Sequence, residues 1–174
     1  MTKPRFALAR ERAEKLLRDQ GLHEPPVPVE HLAVAAGAVV RLEPFGPASG
    51  MSGALIRLPG AQPIIGVNAS DSGERQRFTI AHELGHLFLH DDELHVDTRI
   101  YLRSGRSSEA VDVKEIEANQ FASNLLMPAF MLEPDLAEKG RFDLDDTARE
   151  LATRYGVSVQ AMTFRLAKFV EWGL

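Results

Sequence analysis

The fold of this chain is decided by residues 78–90, which read FTIAHELGHLFLH. On a helix with about 100° between successive residues, its polar side chains share one narrow stripe. They are Thr79, His82, Glu83, His86 and His90. Nearly all other positions of the stretch are apolar. We therefore predict a helix that is buried over much of its surface and carries one polar line.

Two imidazoles four residues apart on this line have the spacing of metal ligands. His82 and His86 stand about 5–6 Å apart at Cβ, so both rings can reach one zinc ion at about 2.0–2.1 Å. Glu83 lies beside them, where its carboxylate can take a proton from attacking water and pass it to a leaving amine. This is the HExxH motif of zinc peptidases. The alternative is a pair of core histidines held by other hydrogen bonds.

A catalytic zinc site uses three protein ligands, and two schemes compete for the third one. In the first scheme the motif continues as HExxHxxGxxH, but here Leu89 stands at the glycine position and Asp92 at the last position. In the second scheme the ligand is Glu115, on a helix predicted for residues 109–127. Small residues near Glu115 would let the two helices approach closely, so we favour the second scheme.

The neighbours of these ligands have predicted roles of their own. Asn119 lies one turn after Glu115 and could bond the outer nitrogen of His82 or His86, which would orient the ring. Glu117 points roughly away from that face and is predicted to be a solvated helix charge. His90 is predicted to lie near the metal ligands, in the substrate cleft or at the surface, and His95 in a polar loop.

Composition narrows the class of protein. The chain has 174 residues, 44% of them hydrophobic and 26% charged, with a net charge of -5. These values suit a folded globular protein with no general attraction to nucleic acid. There are no cysteines, so a metal would need histidine and carboxylate ligands. No apolar run is long enough for a signal peptide or a membrane span, and we expect a cytoplasmic protein.

The fold predicted from the pattern is α+β. Three short strands at residues 39–42, 53–58 and 63–67 are predicted to form a small antiparallel sheet against the HExxH helix. Further helices are predicted at residues 5–20, 29–36, 145–155 and 158–172, and the 71–90 helix is capped by Asp71 or Ser72. A brief strand is predicted at residues 100–102. We divide the chain into a peptidase domain, residues 1–130, and a C-terminal helical segment, residues 131–174.

The C-terminal helix pair resembles a helix-turn-helix. Gly156 and Ser158 fit the turn between the two helices, with Ser158 as the N-cap of the second one. The second helix, however, offers only Arg165 and Lys168 as cations, and binding to phosphates usually takes more. We therefore predict that the pair packs on the domain or docks a partner protein, and we expect no DNA binding.

Two blocks of the sequence resemble the ImmA/IrrE family of metallopeptidases. The first consists of residues 66–68 and 75–90, and the second of residues 115–128, which read EIEANQFASNLLMP. The resemblance implies a gluzincin-like zinc site with His82, His86 and Glu115 as ligands and Glu83 as the catalytic acid and base. The donor set would also suit manganese or iron.

The resemblance also implies a type of substrate. Members of this family typically cleave helix-turn-helix repressors of the XRE type, which relieves repression of mobile-element, phage or stress-response genes. The alternative is a module that sequesters a repressor without cutting it, or a toxin–antitoxin component. Radiation-response members carry an additional C-terminal sensor domain, for which this chain has no room.

Two details of catalysis are expectations at this point. A substrate strand is expected to pair with the sheet edge near residues 64–67, by β-augmentation. Tyr101 and His90 are candidates for stabilising the oxyanion.

Overall fold

Helices and a small sheet make up the part of the chain that the computed structural model describes, residues 3–46, 50–91, 93–98, 109–139 and 143–171. The helices are α1 (Phe6–Asp19), α2 (Val29–Ala35), α3 (Gly73–Leu89), α4 (Glu109–Leu126), α5 (Ala129–Lys139), α6 (Leu144–Tyr155) and α7 (Val159–Glu171). The strands are β1 (Val39–Glu43), β2 (Met51–Ile56), β3 (Ile64–Asn68) and β4 (Leu94–Thr98). The predicted α+β class is confirmed.

Helix α3 carries the HExxH motif and is anchored at both ends. Of the two predicted caps, Ser72 is the residue used: its hydroxyl accepts the backbone N–H of Arg75 at 3.3 Å. At the other end, Arg57 donates to the carbonyl of His86 at 2.7 Å and Arg5 donates to that of Leu89 at 3.1 Å. Cations near the last carbonyls of a helix are favourable because this end carries partial negative charge, although the His86 carbonyl also accepts the backbone N–H of His90.

The contact between α3 and α4 is unusually close at one point. A Cβ atom added to Gly85 would lie 2.9 Å from the Cα and 3.0 Å from the carbonyl oxygen of Ala118. The small residue expected on α4 is Ala118, and it faces a glycine on α3, which has no side chain. Since no larger residue fits between these backbones without a shift, the Gly85–Ala118 contact sets the distance between the two helices.

The sheet differs from the predicted one in strand number and direction. Its order is β1-β3-β2-β4, with β1 parallel to β3 and the other pairs antiparallel. The antiparallel three-stranded description is thus wrong, because β1 lies on the far side of β3 from β2. The prediction of an open edge at residues 64–67 is also wrong, since β3 is paired on both sides.

Strand β4 and helix α5 were missed by the sequence patterns. The polar character of the segment around residues 94–98 predicts a loop, but these residues form the hydrogen bonds of a strand ladder with β2. An edge strand gains those bonds from its neighbour and needs little apolar character of its own. His95 therefore lies in a strand. The brief strand expected at residues 100–102 falls outside the described residues.

The C-terminal helix pair is fastened to the HExxH helix. Gly156 has a left-handed backbone, with φ of 63°, and ends α6, while Ser158 accepts the N–H of Ala161 and caps α7. Arg77 of α3 reaches this turn and donates to the carbonyl of Gly156 at 2.9 Å. The predicted turn is confirmed, and its backbone is held by a cation from the centre of the domain.

Arg165 serves the interior of the protein. Its side chain donates to the carbonyl of Met127 and to the Asn124 side-chain oxygen, each at 3.0 Å, and the residue is 8% exposed. Burial lowers the pKa of Arg165 to about 10, which still leaves it charged at neutral pH. One of the two cations considered for DNA contact is thus bound to the end of α4.

Buried side chains from both sides of residue 130 belong to one hydrophobic cluster, which includes Leu84, Phe121, Leu132, Tyr155 and Leu166. The domain boundary at residue 130 stays a prediction. None of the described helices combines the length and the apolar character needed to cross a membrane.

Replacement of Gly85 by alanine tests the close helix contact. Alanine favours an isolated helix by about 1 kcal/mol, but overpacking against Ala118 is expected to lower the free energy of unfolding by about 1–3 kcal/mol. Urea denaturation would measure the change. Gly73→Ala is the matched control, because an added Cβ there meets no atom within 4 Å. A Gly85→Ala protein as stable as the wild type would contradict the contact.

Replacement of Arg165 by methionine tests its internal role. The change leaves the Met127 carbonyl and the Asn124 amide without their donor, so a loss of about 2 kcal/mol in the free energy of unfolding is expected. Lys168→Met, at an exposed position on the same helix, should leave the free energy of unfolding almost unchanged. Equal effects of the two variants in thermal unfolding would argue against this role.

Candidate metal centre

His82 and His86 are brought together on the buried side of α3. They are 3% and 1% exposed, and their Nε2 atoms lie 3.1 Å apart. The i, i+4 spacing places the rings on one face, and the apolar residues around them keep water away. Both rings therefore present the same nitrogen to one point.

Glu115 of α4 completes a group of three donors. One carboxylate oxygen lies 3.3 Å from Nε2 of His82, and the other lies 3.3 Å from Nε2 of His86. Ligands at about 2.0–2.1 Å from a tetrahedral zinc ion are separated by about 3.3 Å. These three residues could hold a metal ion, and their spacing and donor types fit zinc.

The carboxylate of Glu115 is held in its ionised form. Burial raises the pKa of Glu115, but hydrogen bonds to His82 and His86 and the attraction of their charges outweigh burial and hold it well below its usual range. A metal ligand must be deprotonated. Glu115 is therefore in the deprotonated form that a metal ligand needs.

Glu83 lies in the interior next to strand β2. The residue is 0% exposed, and a Cβ added to Gly53 would come within 3.1 Å of its Oε1 and would overlap Thr79. Gly53 thus lets the sheet approach the helix where Glu83 stands. The catalytic role of Glu83 stays a prediction, as do the roles of the three donors.

Asn119 contacts one of the two rings. Its Oδ1 lies 3.0 Å from Nδ1 of His82. Because an amide oxygen only accepts, His82 donates from Nδ1, which leaves Nε2 as the nitrogen that can turn to a metal. The sequence left open which ring Asn119 would contact, and the packing of α4 on α3 decides for His82.

The prediction that Glu117 is solvated is wrong. Glu117 is 2% exposed. Its Oε1 accepts the backbone N–H of Arg5 at 2.7 Å, and its Oε2 accepts a guanidinium N–H of Arg5, also at 2.7 Å. These bonds lower the pKa of Glu117 to about 2, against the opposing effect of burial. Helix α1 packs on α4, so the side of α4 that seemed to face solvent is covered.

His90 lies next to the candidate metal ligands rather than at the surface. The residue is 6% exposed; its Nδ1 is 3.0 Å from Nδ1 of His86, and its Nε2 is 3.1 Å from Oε2 of Glu117. Burial lowers the pKa of His90, although the hydrogen bond to Glu117 opposes the shift. His90 therefore connects the metal site to the Arg5–Glu117 pair.

Arg5, Gly53 and Glu117 were missed as parts of the site. Arg5 and Glu117 are 112 positions apart in the chain, and no local pattern relates them. The sequence offered one indication: His90 shares the polar stripe of His82 and His86, and a buried histidine needs a hydrogen-bond partner. Of the expected oxyanion groups, Tyr101 lies outside the described residues.

Comparisons with known proteins agree with this arrangement. The radiation response metalloprotease IrrE of Deinococcus deserti is 35% identical over 106 residues, which cover 60% of this chain and 36% of that protein. IrrE of Deinococcus radiodurans is 36% identical over 108 residues, covering 60% and 31%. The chain thus matches well under half the length of either relative.

A solved structure has a similar fold. A transcriptional regulator of Mycobacterium tuberculosis superposes with a TM-score of 0.58 at 17% sequence identity, over 91% of this chain and 46% of the other. The model of the IrrE N-terminal-like domain, a peptidase family, matches residues 34–167. Because that match spans most of the chain and includes every donor of the candidate site, the protein belongs to the ImmA/IrrE family of metallopeptidases.

Proposed function

We propose that this protein is a zinc-dependent endopeptidase that cleaves a helix-turn-helix repressor of the XRE type. One observation carries the peptidase part: the donors of His82, His86 and Glu115 converge within 4.8 Å of one another, beside the buried Glu83. A structural zinc site would use four protein ligands. Three donors with an adjacent carboxylate suit a catalytic site with one position for water or substrate.

The chemistry follows from the residues present. Zinc, when bound by His82, His86 and Glu115, supplies a Lewis acid for the scissile carbonyl and for water. Glu83 takes the proton of the attacking water and delivers it to the leaving amine. The dry surroundings strengthen these electrostatic interactions. Asn119 holds the ring of His82 in the orientation that a ligand needs.

Strand β4 is the sheet edge at which we now expect the substrate to bind. It pairs with β2 on one side, and no strand in the described part of the chain pairs with the other. Asp97 of β4 is in register with Gly53, the residue that lies against Glu83. An extended peptide could add to this edge by main-chain hydrogen bonds. It would then be separated from β2, the strand of Gly53, by β4 alone.

The class of substrate rests on the family resemblance. Two relatives are named as radiation response metalloproteases, which suits a peptidase that acts on the regulation of genes. Repressor cleavage would need one extended segment of the substrate to reach the metal. Cleavage at an interdomain linker meets that need more readily than cleavage inside a folded domain.

Replacement of Glu83 by glutamine tests the catalytic role. The amide cannot accept the proton, so cleavage of the repressor should fall by about 10²–10⁴-fold while zinc still binds. Gel analysis with a purified XRE-type repressor as the substrate would measure it. Glu133→Gln, at an exposed position of α5, is the matched control and should cut normally. A Glu83→Gln protein with full activity would refute the role.

Replacement of Glu115 by glutamine tests the third ligand. A neutral amide is a weak zinc ligand, so the affinity for zinc should fall by at least about 100-fold while the protein stays folded. Competition with a chromophoric chelator measures the dissociation constant, and Glu133→Gln again serves as the control. Unchanged affinity would mean that the metal lies elsewhere. An intact complex between the wild-type protein and the repressor would favour sequestration over cleavage.

A further inference from the structure

The two histidines of the site differ in what their outer nitrogens contact. Nδ1 of His82 faces an amide oxygen of Asn119 at 3.0 Å, and Nδ1 of His86 faces Nδ1 of His90 at the same distance. An amide oxygen fixes the direction of the hydrogen bond by itself. A second imidazole does not, because either ring could donate. Something beyond His90 must therefore set the direction of that bond.

Glu117 sets the direction of the hydrogen bond between His86 and His90. Its Oε2 lies 3.1 Å from Nε2 of His90, and an ionised carboxylate only accepts. His90 must then carry its proton on Nε2 and accept through Nδ1. It follows that His86 donates from Nδ1, so that, once a metal replaces the contact with Glu115, Nε2 offers its lone pair to the metal.

We propose that His90, Glu117 and Arg5 are positioning residues, which hold His86 in the tautomer that binds the metal. The inference rests on the proposed zinc site of His82, His86 and Glu115. We call these three residues the relay. Outer partners of this kind orient a ligand ring and typically change metal affinity by about 10–100-fold.

Arg5 fixes the carboxylate at the far end of the relay. Its backbone N–H donates to Oε1 of Glu117 at 2.7 Å, and its guanidinium reaches both oxygens. The same guanidinium donates to the carbonyl of Leu89 at 3.1 Å. A residue before α1 thus orients Glu117 and holds the end of α3, so that the start of the chain takes part in building the metal site.

A simple ion pair between Arg5 and Glu117 would not account for the position of His90. Glu117 is buried, and a buried carboxylate is costly unless its oxygens are well bonded. A structural pair could be satisfied by Arg5 and backbone donors alone. Here Oε2 also faces an imidazole whose other nitrogen lies against a metal ligand. The path of three contacts, each between 2.7 and 3.1 Å, is continuous from Arg5 to His86.

The test compares the zinc affinity of paired variants by chelator competition on the purified full chain. His90→Leu and Glu117→Leu remove an acceptor and should weaken zinc binding by about 10–100-fold. His90→Asn and Glu117→Gln keep an oxygen at the accepting position and should recover part of the loss. Asp135→Asn is the matched control: Asp135 accepts from Tyr155 at 2.8 Å and pairs with Arg154 at 3.2 Å, with no contact to the relay among the described bonds.

The outcome separates positioning from mere structural support. Thermal unfolding without metal reports the structural contribution of each variant, and the dissociation constant for zinc reports the positioning. The inference stands if the relay variants lose affinity beyond Asp135→Asn at similar stability. It is overturned if the affinities of the leucine variants equal that of the wild type, or if the oxygen-bearing variants are no better than leucine.

A second measurement needs no variant. Nitrogen-15 NMR of the histidine rings in the zinc-loaded protein reads each tautomer directly, because zinc then replaces the contacts of His82 and His86 with Glu115 at Nε2. His86 should carry its proton on Nδ1, and His90 should carry it on Nε2. The opposite assignment would overturn the relay even if every variant failed to fold.

Arg5→Gln extends the test to the start of the chain. Arg5 is half-exposed, so the variant should fold, and zinc affinity should fall by about 2–5-fold, as expected for a partly solvated ion pair. No change would remove Arg5 from the relay. If instead the wild type binds no zinc, the proposed function fails, and the relay fails with it because it rests on that site. If zinc binds and Glu83→Gln behaves as expected, unchanged relay variants refute the relay alone.

Discussion

The close contact between α3 and α4 is the constraint on which the rest of the structure depends. Two of the three metal-site donors belong to α3 and the third to α4, so the site exists only at the separation that Gly85 and Ala118 allow. At that separation the carboxylate of Glu115 spans both rings, with one oxygen 3.3 Å from each. A side chain at position 85 would push apart the groups that must converge.

Arginines bonded to backbone carbonyls hold the surrounding elements in place. Arg57 and Arg5 bind the last turn of α3, Arg165 binds the carbonyl of Met127 after α4, and Arg77 binds the turn at Gly156. The last carbonyls of a helix carry partial negative charge, and a guanidinium donates to them while carrying its charge into a partly buried place. The helix-turn-helix-like pair is thereby tied to the HExxH helix through its own backbone.

Local sequence patterns were sufficient to predict which donor side chains come together. The spacing of His82 and His86 follows from helix geometry alone, and so does the shared face of Glu115 and Asn119. These residues meet in the structure because His82 and His86 lie on the face of α3, and Glu115 and Asn119 on the face of α4, where the two helices pack together. The sheet was harder, since a short strand such as β4 owes its conformation to bonds with β2 and shows little pattern of its own.

The sequence by itself determined the kind of site: a helix with two imidazoles and a carboxylate, a second helix with a further carboxylate, and no thiol ligand. Only the tertiary structure decided what surrounds it. Glu117 looked solvated on the wheel of its own helix, and it became buried because α1 covers that side and brings Arg5 to it. Contacts between residues more than 100 positions apart depend on packing, and no periodicity within one element can encode them.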